Sequence, residues 1–134
     1  MTDARAAAQN WARTWRRAWN KRDVEALLAL YAPNVAYWSE PYREPFEGIE
    51  RLREYLVQAF AVEHSINSWF GEPVVDGDRA AVAWWGTLVE DGKPITLAGI
   101  SLLRFDASGL VTEQWDGWNQ AELMRPRPPA WGGG

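Results

Sequence analysis

Three short turn-forming stretches, Asp76-Gly77-Asp78, Asp91-Gly92 and Asp106-Ala107-Ser108-Gly109, cut the second half of the chain into long runs of β-prone residues. Aspartate and glycine supply the backbone angles that tight hairpin connections need. The runs between the turns, Ile66 to Val75, Arg79 to Glu90, Pro94 to Phe105 and Gly109 to Asn119, are rich in β-branched and aromatic residues. A chain punctuated in this way folds back on itself as an antiparallel meander. The last run carries the most information. Alternation along it sets Thr112, Gln114, Asp116 and Trp118 on one face and Val111, Glu113, Trp115 and Gly117 on the other. The first face puts a carboxylate and an amide beside a tryptophan, the make-up of a concave, mostly apolar ligand site with a few convergent polar groups.

The first half has a different period. From Ala6 to Arg22, Trp11, Trp15 and Trp19 recur every fourth residue with Ala8, Ala12 and Ala18 beside them, and Arg13, Arg16, Arg17 and Lys21 fall on the far side. This is a helix with a tryptophan stripe for the core and a solvated basic face. Asp23 is placed to cap a second helix, Val24 to Tyr31, that stops at Ala32 before Pro33, and a short strand, Val35 to Trp38, follows. Ser39 to Glu47 holds Glu40-Pro41 and Glu44-Pro45 and reads as a loop. Gly48 opens a third helix whose apolar stripe is Ile49, Leu52, Tyr55, Leu56, Ala59 and Phe60, fading by Glu63 and His64. Helices first and a curled sheet afterwards mean an α+β fold, one domain over residues 1–124. The Pro- and Gly-rich tail, 125–134, continues neither element and is expected to be mobile.

Composition removes several classes of function. The net charge of −4 argues against nucleic acid or an anionic membrane surface as a partner. There is no cysteine and a single histidine, His64, so thiolate chemistry, disulfides and histidine-pair zinc motifs are excluded, and no carboxylate cluster suggests a metal. Met1 to Ala8 lacks a signal-peptide core and no apolar run reaches membrane-spanning length, which makes a cytoplasmic protein the expectation. Ten tryptophans are too many to bury completely in a domain of 134 residues, so several should line a cavity or an interface.

The order of elements, with the segments 19–35, 46–56 and Gly-Leu-Val-Thr-Glu-Gln-Trp-Asp at 109–116, resembles the nuclear transport factor 2-like superfamily, in particular its SnoaL-like and ketosteroid isomerase-like members. The resemblance spans about Trp11 to Gln120. It implies a cone: three N-terminal helices packed on a strongly curved, mostly antiparallel sheet around a pocket that relatives use for isomerisation, aldol cyclisation, dehydration or binding. Against the steroid isomerases, Trp15 stands in place of the helix 1 tyrosine, Ser101 in place of the oxyanion-hole acid, and Ser39 or Glu40 in place of the base. Against SnoaL-like cyclases, whose last strand tends to read Glu-His-Trp-Asp, the chain has Glu113-Gln114-Trp115-Asp116, keeping the aspartate and replacing the histidine by an amide.

Asp116 is therefore the first candidate for a general base and Glu40 the second, each set against a structural or exposed carboxylate; for His64 a solvent-facing or capping place outweighs a catalytic one. The expected pocket wall is Trp15, Trp19, Tyr37, Tyr55, Phe60, Trp84, Ser101, Gln114 and Trp118, with Trp15, Ser101 or Gln114 donating to an oxyanion. On the opposite face, Trp85, Ile100, Leu102 and Trp115 make an apolar surface suited to a homodimer. The expectation is a cofactor-free, metal-free enzyme that moves a proton on an apolar or polycyclic carbonyl compound. The alternative is a non-catalytic protein of the same fold that binds a small hydrophobic ligand.

Overall fold

A computed structural model of the chain describes residues 3–133; Met1 and Thr2, from the stretch expected to lack a signal-peptide core, and the final tail residue Gly134 lie outside them. Helix α1, Ala4–Lys21, is capped by the Asp3 carboxylate, which accepts from the Ala6 amide at 3.0 Å, and it ends at Arg22 in a left-handed conformation, φ 56°. Asp23 caps α2, Val24–Leu28, in the same way. Strands β1, Tyr31–Trp38, and β2, Phe46–Glu47, precede α3, Ile49–Ala61. Then come β3, Glu63–Phe70; β4, Val74–Asp76; β5, Arg79–Glu90; β6, Lys93–Phe105; and β7, Val111–Ala121.

The sheet runs β2-β1-β7-β6-β5-β3, with β4 also paired to β5. Every pairing is antiparallel except that of β1 with β7, where the first strand lies parallel to the last. The inner residues of β5 and β6, among them Val82, Trp84, Leu88, Ser101 and Leu103, are buried under the helices, and the expected alternation on β5 holds throughout. The indoles of α1 step down this inner face, Trp15 to Trp19 at 6.3 Å and Trp19 to Trp84 at 6.0 Å, both edge-on. Two glycines make room for them. A Cβ on Gly86 would sit 2.7 Å from the Trp19 ring, and one on Gly99 would sit 2.6 Å from Trp84.

Four local features differ from the sequence pattern. Helix α2 ends at Leu28, not Tyr31, because the Val111 amide donates to the Leu30 carbonyl and Tyr31 pairs with Val111, drawing the segment into β1. Phe46–Glu47, inside the expected loop, pairs with β1. The run Ile66 to Val75 begins three residues earlier, at Glu63, and is broken around Gly71 to Pro73, where proline has no amide for the ladder. A bulge at Thr112, between the pairs Arg104↔Glu113 and Phe105↔Val111, turns Val111 into the core while Gln114 and Asp116 stay inside.

On the outer face the Trp38 and Trp115 rings stack at 3.6 Å and 6°. Ile100 and Leu102 beside them are 48% and 42% exposed. The tail forms neither helix nor strand, and it lies against the other end of this face. Trp85 Nε1 donates to the Arg125 carbonyl, Trp131 Nε1 to the Trp84 carbonyl, and the Arg127 guanidinium sits 3.9 Å over Trp69. Among the described residues no helix is long and apolar enough to cross a membrane.

Candidate functional site

Strand registers bring the polar groups together. Ser101 on β6 and Asp116 on β7 are direct cross-strand partners, and Tyr37 on β1 is the partner of Gln114. All four point into the cone and all are buried, Gln114 to 1% and Asp116 to 8% exposure. Asp116 Oδ1 accepts from Ser101 Oγ at 2.6 Å and from Gln114 Nε2 at 3.0 Å. Its Oδ2 accepts from the Tyr37 hydroxyl at 2.9 Å. Removal from water pushes the Asp116 carboxyl up to about 6, against the downward pull of donation from Ser101, Gln114 and Tyr37.

A second shell of donors stands behind these groups. Gln114 Oε1 accepts from the Tyr31 hydroxyl at 2.6 Å and from Trp11 Nε1 at 3.1 Å. The Tyr31 oxygen in turn accepts from Trp15 Nε1 at 3.0 Å, and Ser101 Oγ accepts from Trp84 Nε1 at 3.0 Å. Thus Trp15, Ser101 and Gln114, the oxyanion donors expected from sequence, all donate to partners within the protein. Tyr55, from α3, also borders the cavity. Burial first and the charge of Asp116 second push its phenol well up, while Ser39 beside it pulls the other way. Ser39 Oγ is buried without a partner at full hydrogen-bond geometry, and the Ser39 carbonyl accepts from Trp118 Nε1 at 2.7 Å.

Asp116, Ser101, Gln114, Tyr37 and Tyr55 line a cavity of about 230 Å³. Every residue expected in the wall borders it: Trp15, Trp19, Tyr37, Tyr55, Phe60, Trp84, Ser101, Gln114 and Trp118. The exposed lining residues Val62 and Gln120 mark its mouth. The volume is somewhat under the ~300–1,000 Å³ usual for pockets that hold drug-sized ligands.

Of the two candidate bases, only Asp116 lies on the cavity. Glu40 is on the loop after β1, outside the wall, 3.8 Å from Arg43. His64 is exposed, with Arg22 Nη1 at 3.4 Å from its Nδ1. A carboxylate that the sequence did not single out, Glu63, does line the cavity, and burial pushes it up to about 7 while the Trp19 N–H, 2.8 Å from its Oε1, pulls it down. Helical spacing places Trp11 and Tyr31 only on helices, yet Trp11 borders the cavity and the Tyr31 hydroxyl meets Gln114 behind it. Among the described residues no group of three or more His, Cys, Asp or Glu side chains is arranged to hold a metal ion.

Comparison with known proteins matches this fold. The SnoaL-like domain family matches residues 12–114. The fold is similar to that of SalBIII, described as an epoxide hydrolase/cyclase-like enzyme in pyran ring formation in the polyether salinomycin, with a TM-score of 0.76, 18% identity, and coverage of 89% of this chain and 95% of that one. It is similar also to RV0760c from Mycobacterium tuberculosis, with a TM-score of 0.76 and 18% identity over 90% and 98% of the two chains. An NTF2-like protein of unknown function from Exiguobacterium sp. 255-15 has a TM-score of 0.71 and 14% identity, over 84% and 98%. No curated protein matches the sequence.

Proposed function

The chain belongs to the SnoaL-like family, and from that premise we propose that it is a cofactor-free enzyme in which Asp116 abstracts a proton from carbon next to the carbonyl of a small apolar compound. The observation that carries this is the bonding of one side chain. An ionised carboxylate has about four acceptor positions. On Asp116 two donors occupy Oδ1 and one occupies Oδ2, so a lone pair on Oδ2 is left for a ligand. A carboxyl near 6 is ionised at neutral pH yet more basic than an ordinary aspartate, which suits proton abstraction.

In the proposed step the C–H bond breaks, its proton goes to Oδ2, and its electron pair passes to the carbonyl oxygen as an enolate. Tyr37 then has less charge to donate to on Oδ2 and can turn its hydroxyl to the enolate oxygen; Tyr55, whose ring packs 5.7 Å from that of Tyr37 on the cavity wall, is the second donor. Where a C=C bond extends the enolate, return of the proton from Oδ2 to the far carbon gives isomerisation; attack of the enolate carbon on a second carbonyl, whose new alkoxide takes the proton from Oδ2, gives aldol cyclisation. The volume favours a one- or two-ring compound over a larger polycycle. A cytoplasmic location and a homodimer belong to the same reading; of the expected outer surface the tail covers Trp85, and the exposure of Ile100, Leu102 and Trp115 supports a dimer through these three.

One observation favours the alternative, a non-catalytic binding protein: the three expected oxyanion donors are engaged inside the protein. Both readings are tested by exchange of α-hydrogen for deuterium in a panel of small cyclic ketones and 1,3-diketones, followed by NMR. The enzyme reading expects exchange that depends on Asp116. Saturable quenching of tryptophan fluorescence with no exchange of any compound would replace the enzyme by the binder.

A further inference from the structure

The tryptophans of this site do more than line it. An indole N–H donates and never accepts, so each one occupies an acceptor position on the oxygen it meets and favours the hydrogen bonds beyond it running onward. Trp84 donates to Ser101 Oγ, and the Ser101 hydroxyl proton points onward to Asp116 Oδ1. Trp15 donates to the Tyr31 oxygen, which sends the Tyr31 proton to Gln114 Oε1; Trp11 donates to that same oxygen. With its carbonyl held by two donors, the Gln114 amide has one orientation, N–H toward Asp116. The flipped amide would set N–H against Trp11 N–H and turn its oxygen on the carboxylate.

We propose that Trp84, through Ser101, and Trp15 and Trp11, through Tyr31 and Gln114, are positioning residues that keep donors permanently aimed at Asp116 Oδ1 and so confine proton uptake to Oδ2, the oxygen beside Tyr37. The part concerning turnover rests on Asp116 as the base. The part concerning the carboxyl itself does not.

Freely rotating neighbours would adapt to a protonated Asp116: Ser101 would turn to accept, and Gln114 would flip its oxygen to the new O–H. The indole N–H groups favour them as donors, so the neutral acid meets a poorer partner on Oδ1 and the ionised form is favoured. The other titratable groups facing Asp116 are Tyr31 and Tyr37 from β1 and Tyr55 from α3, all pushed upward by burial and neutral where Asp116 titrates.

The test is carboxyl carbon NMR of the full chain labelled at aspartate, with no ligand present. Replacing Trp84 by 3-benzothienylalanine keeps the ring shape and removes only the N–H. Tyr31→Phe cuts Trp15 off from Gln114. The Asp116 midpoint should rise in both, by about half a unit to one unit, the scale of one polarised hydrogen bond to a charge. The acid limb of kcat should move with it while KM holds. If Tyr31→Phe does not fold, benzothienylalanine at Trp15 makes the same cut without losing the phenol. A midpoint unmoved in the folded variants would overturn the proposal. Absence of turnover on every compound would remove the base but leave the titration result standing, so the two failures are distinguishable.

Discussion

The Tyr37 hydroxyl and Asp116 Oδ2 are 2.9 Å apart, and this one hydrogen bond lies on the carboxylate oxygen that has an acceptor position to spare. Donor and base share an atom, so uptake of a proton by Asp116 changes what Tyr37 donates to.

Asp116→Asn keeps the shape. Its Oδ1 retains the Ser101 and Gln114 donors, and its amide donates to the Tyr37 oxygen. Turnover should fall by about 10² or more while the affinity for a ligand stays close to that of the parent. Tyr37→Phe should cost less in rate, but removing a donor from Oδ2 should move the acid limb of the pH profile upward from about 6. Rates at saturating compound across pH 5 to 8 check both outcomes; full turnover in Asp116→Asn would exclude this carboxylate as the base.

Stability should carry the opposite sign. The folded carboxyl of Asp116, near 6, lies above its ordinary value of 3.8, so the native state binds more protons than the unfolded chain between those values. Its contribution is therefore fully present below about 4, is lost as pH rises toward 6, and remains a cost above that. Asp116→Asn should be more stable than the parent at pH 8 by on the order of 2 kcal/mol, and the difference should shrink toward pH 4. Urea melts at the two pH values measure it.

Glu63 shows the same linkage in a higher window, since its folded value near 7 lies above the ordinary 4.5. The parent should lose stability between about pH 5 and 7, and Glu63→Gln should flatten that loss because the amide can still accept from Trp19 N–H. If the slope of stability against pH is the same in the variant, Glu63 is ionised throughout.

Two glycines one strand apart give a packing test. A methyl at Gly99 would meet Trp84, Trp118 and the Gly117 carbonyl, each under 3.0 Å, whereas a methyl at Gly117 has nothing within 4 Å. Gly99→Ala should cost about 1–3 kcal/mol and narrow the cavity, and Gly117→Ala should leave both nearly unchanged. Equal thermal stabilities would show that the Trp84 side of the cavity is loose.

On the outer face, Trp115→Glu breaks the stack on Trp38 and places charge beside its cross-strand partner Leu102. The parent is expected to elute as a dimer at micromolar concentration, and Trp115→Glu as a monomer or insoluble. A parent that elutes as a monomer ends the proposal. Ending the chain after Met124 should uncover Trp69 and Trp85 and lower solubility whatever the oligomeric state.

Much of the site was legible because strand alternation is strict. The inward placement of Gln114, Asp116 and Trp84, and the outward placement of Trp85 and Trp115, follow from one periodic pattern. Tyr31 was not legible, because Leu27, Leu28, Leu30 and Tyr31 continue a helical spacing that only the distant partner Val111 overrides. Glu63 was hidden for a related reason: it follows an amphipathic helix and is polar, and the pairing that makes it the first residue of β3 is with Glu90, far along the chain. Nor does any pattern say which oxygen an indole N–H will meet. The partners of Trp11, Trp15 and Trp84 are chosen by packing.

The parallel seam between β1 and β7 sets a schedule. Tyr31 and Gln114, which meet across it, are separated by 83 residues, and Trp11 and Gln114 by 103. At a synthesis rate of roughly 5–20 residues per second, the α1 tryptophans wait several seconds for the strand that completes their surroundings. High contact order then slows the final closure. The newborn chain consequently spends its vulnerable interval with an aromatic helix uncovered, and factors that shield nascent chains should affect its yield far more than they affect the finished molecule.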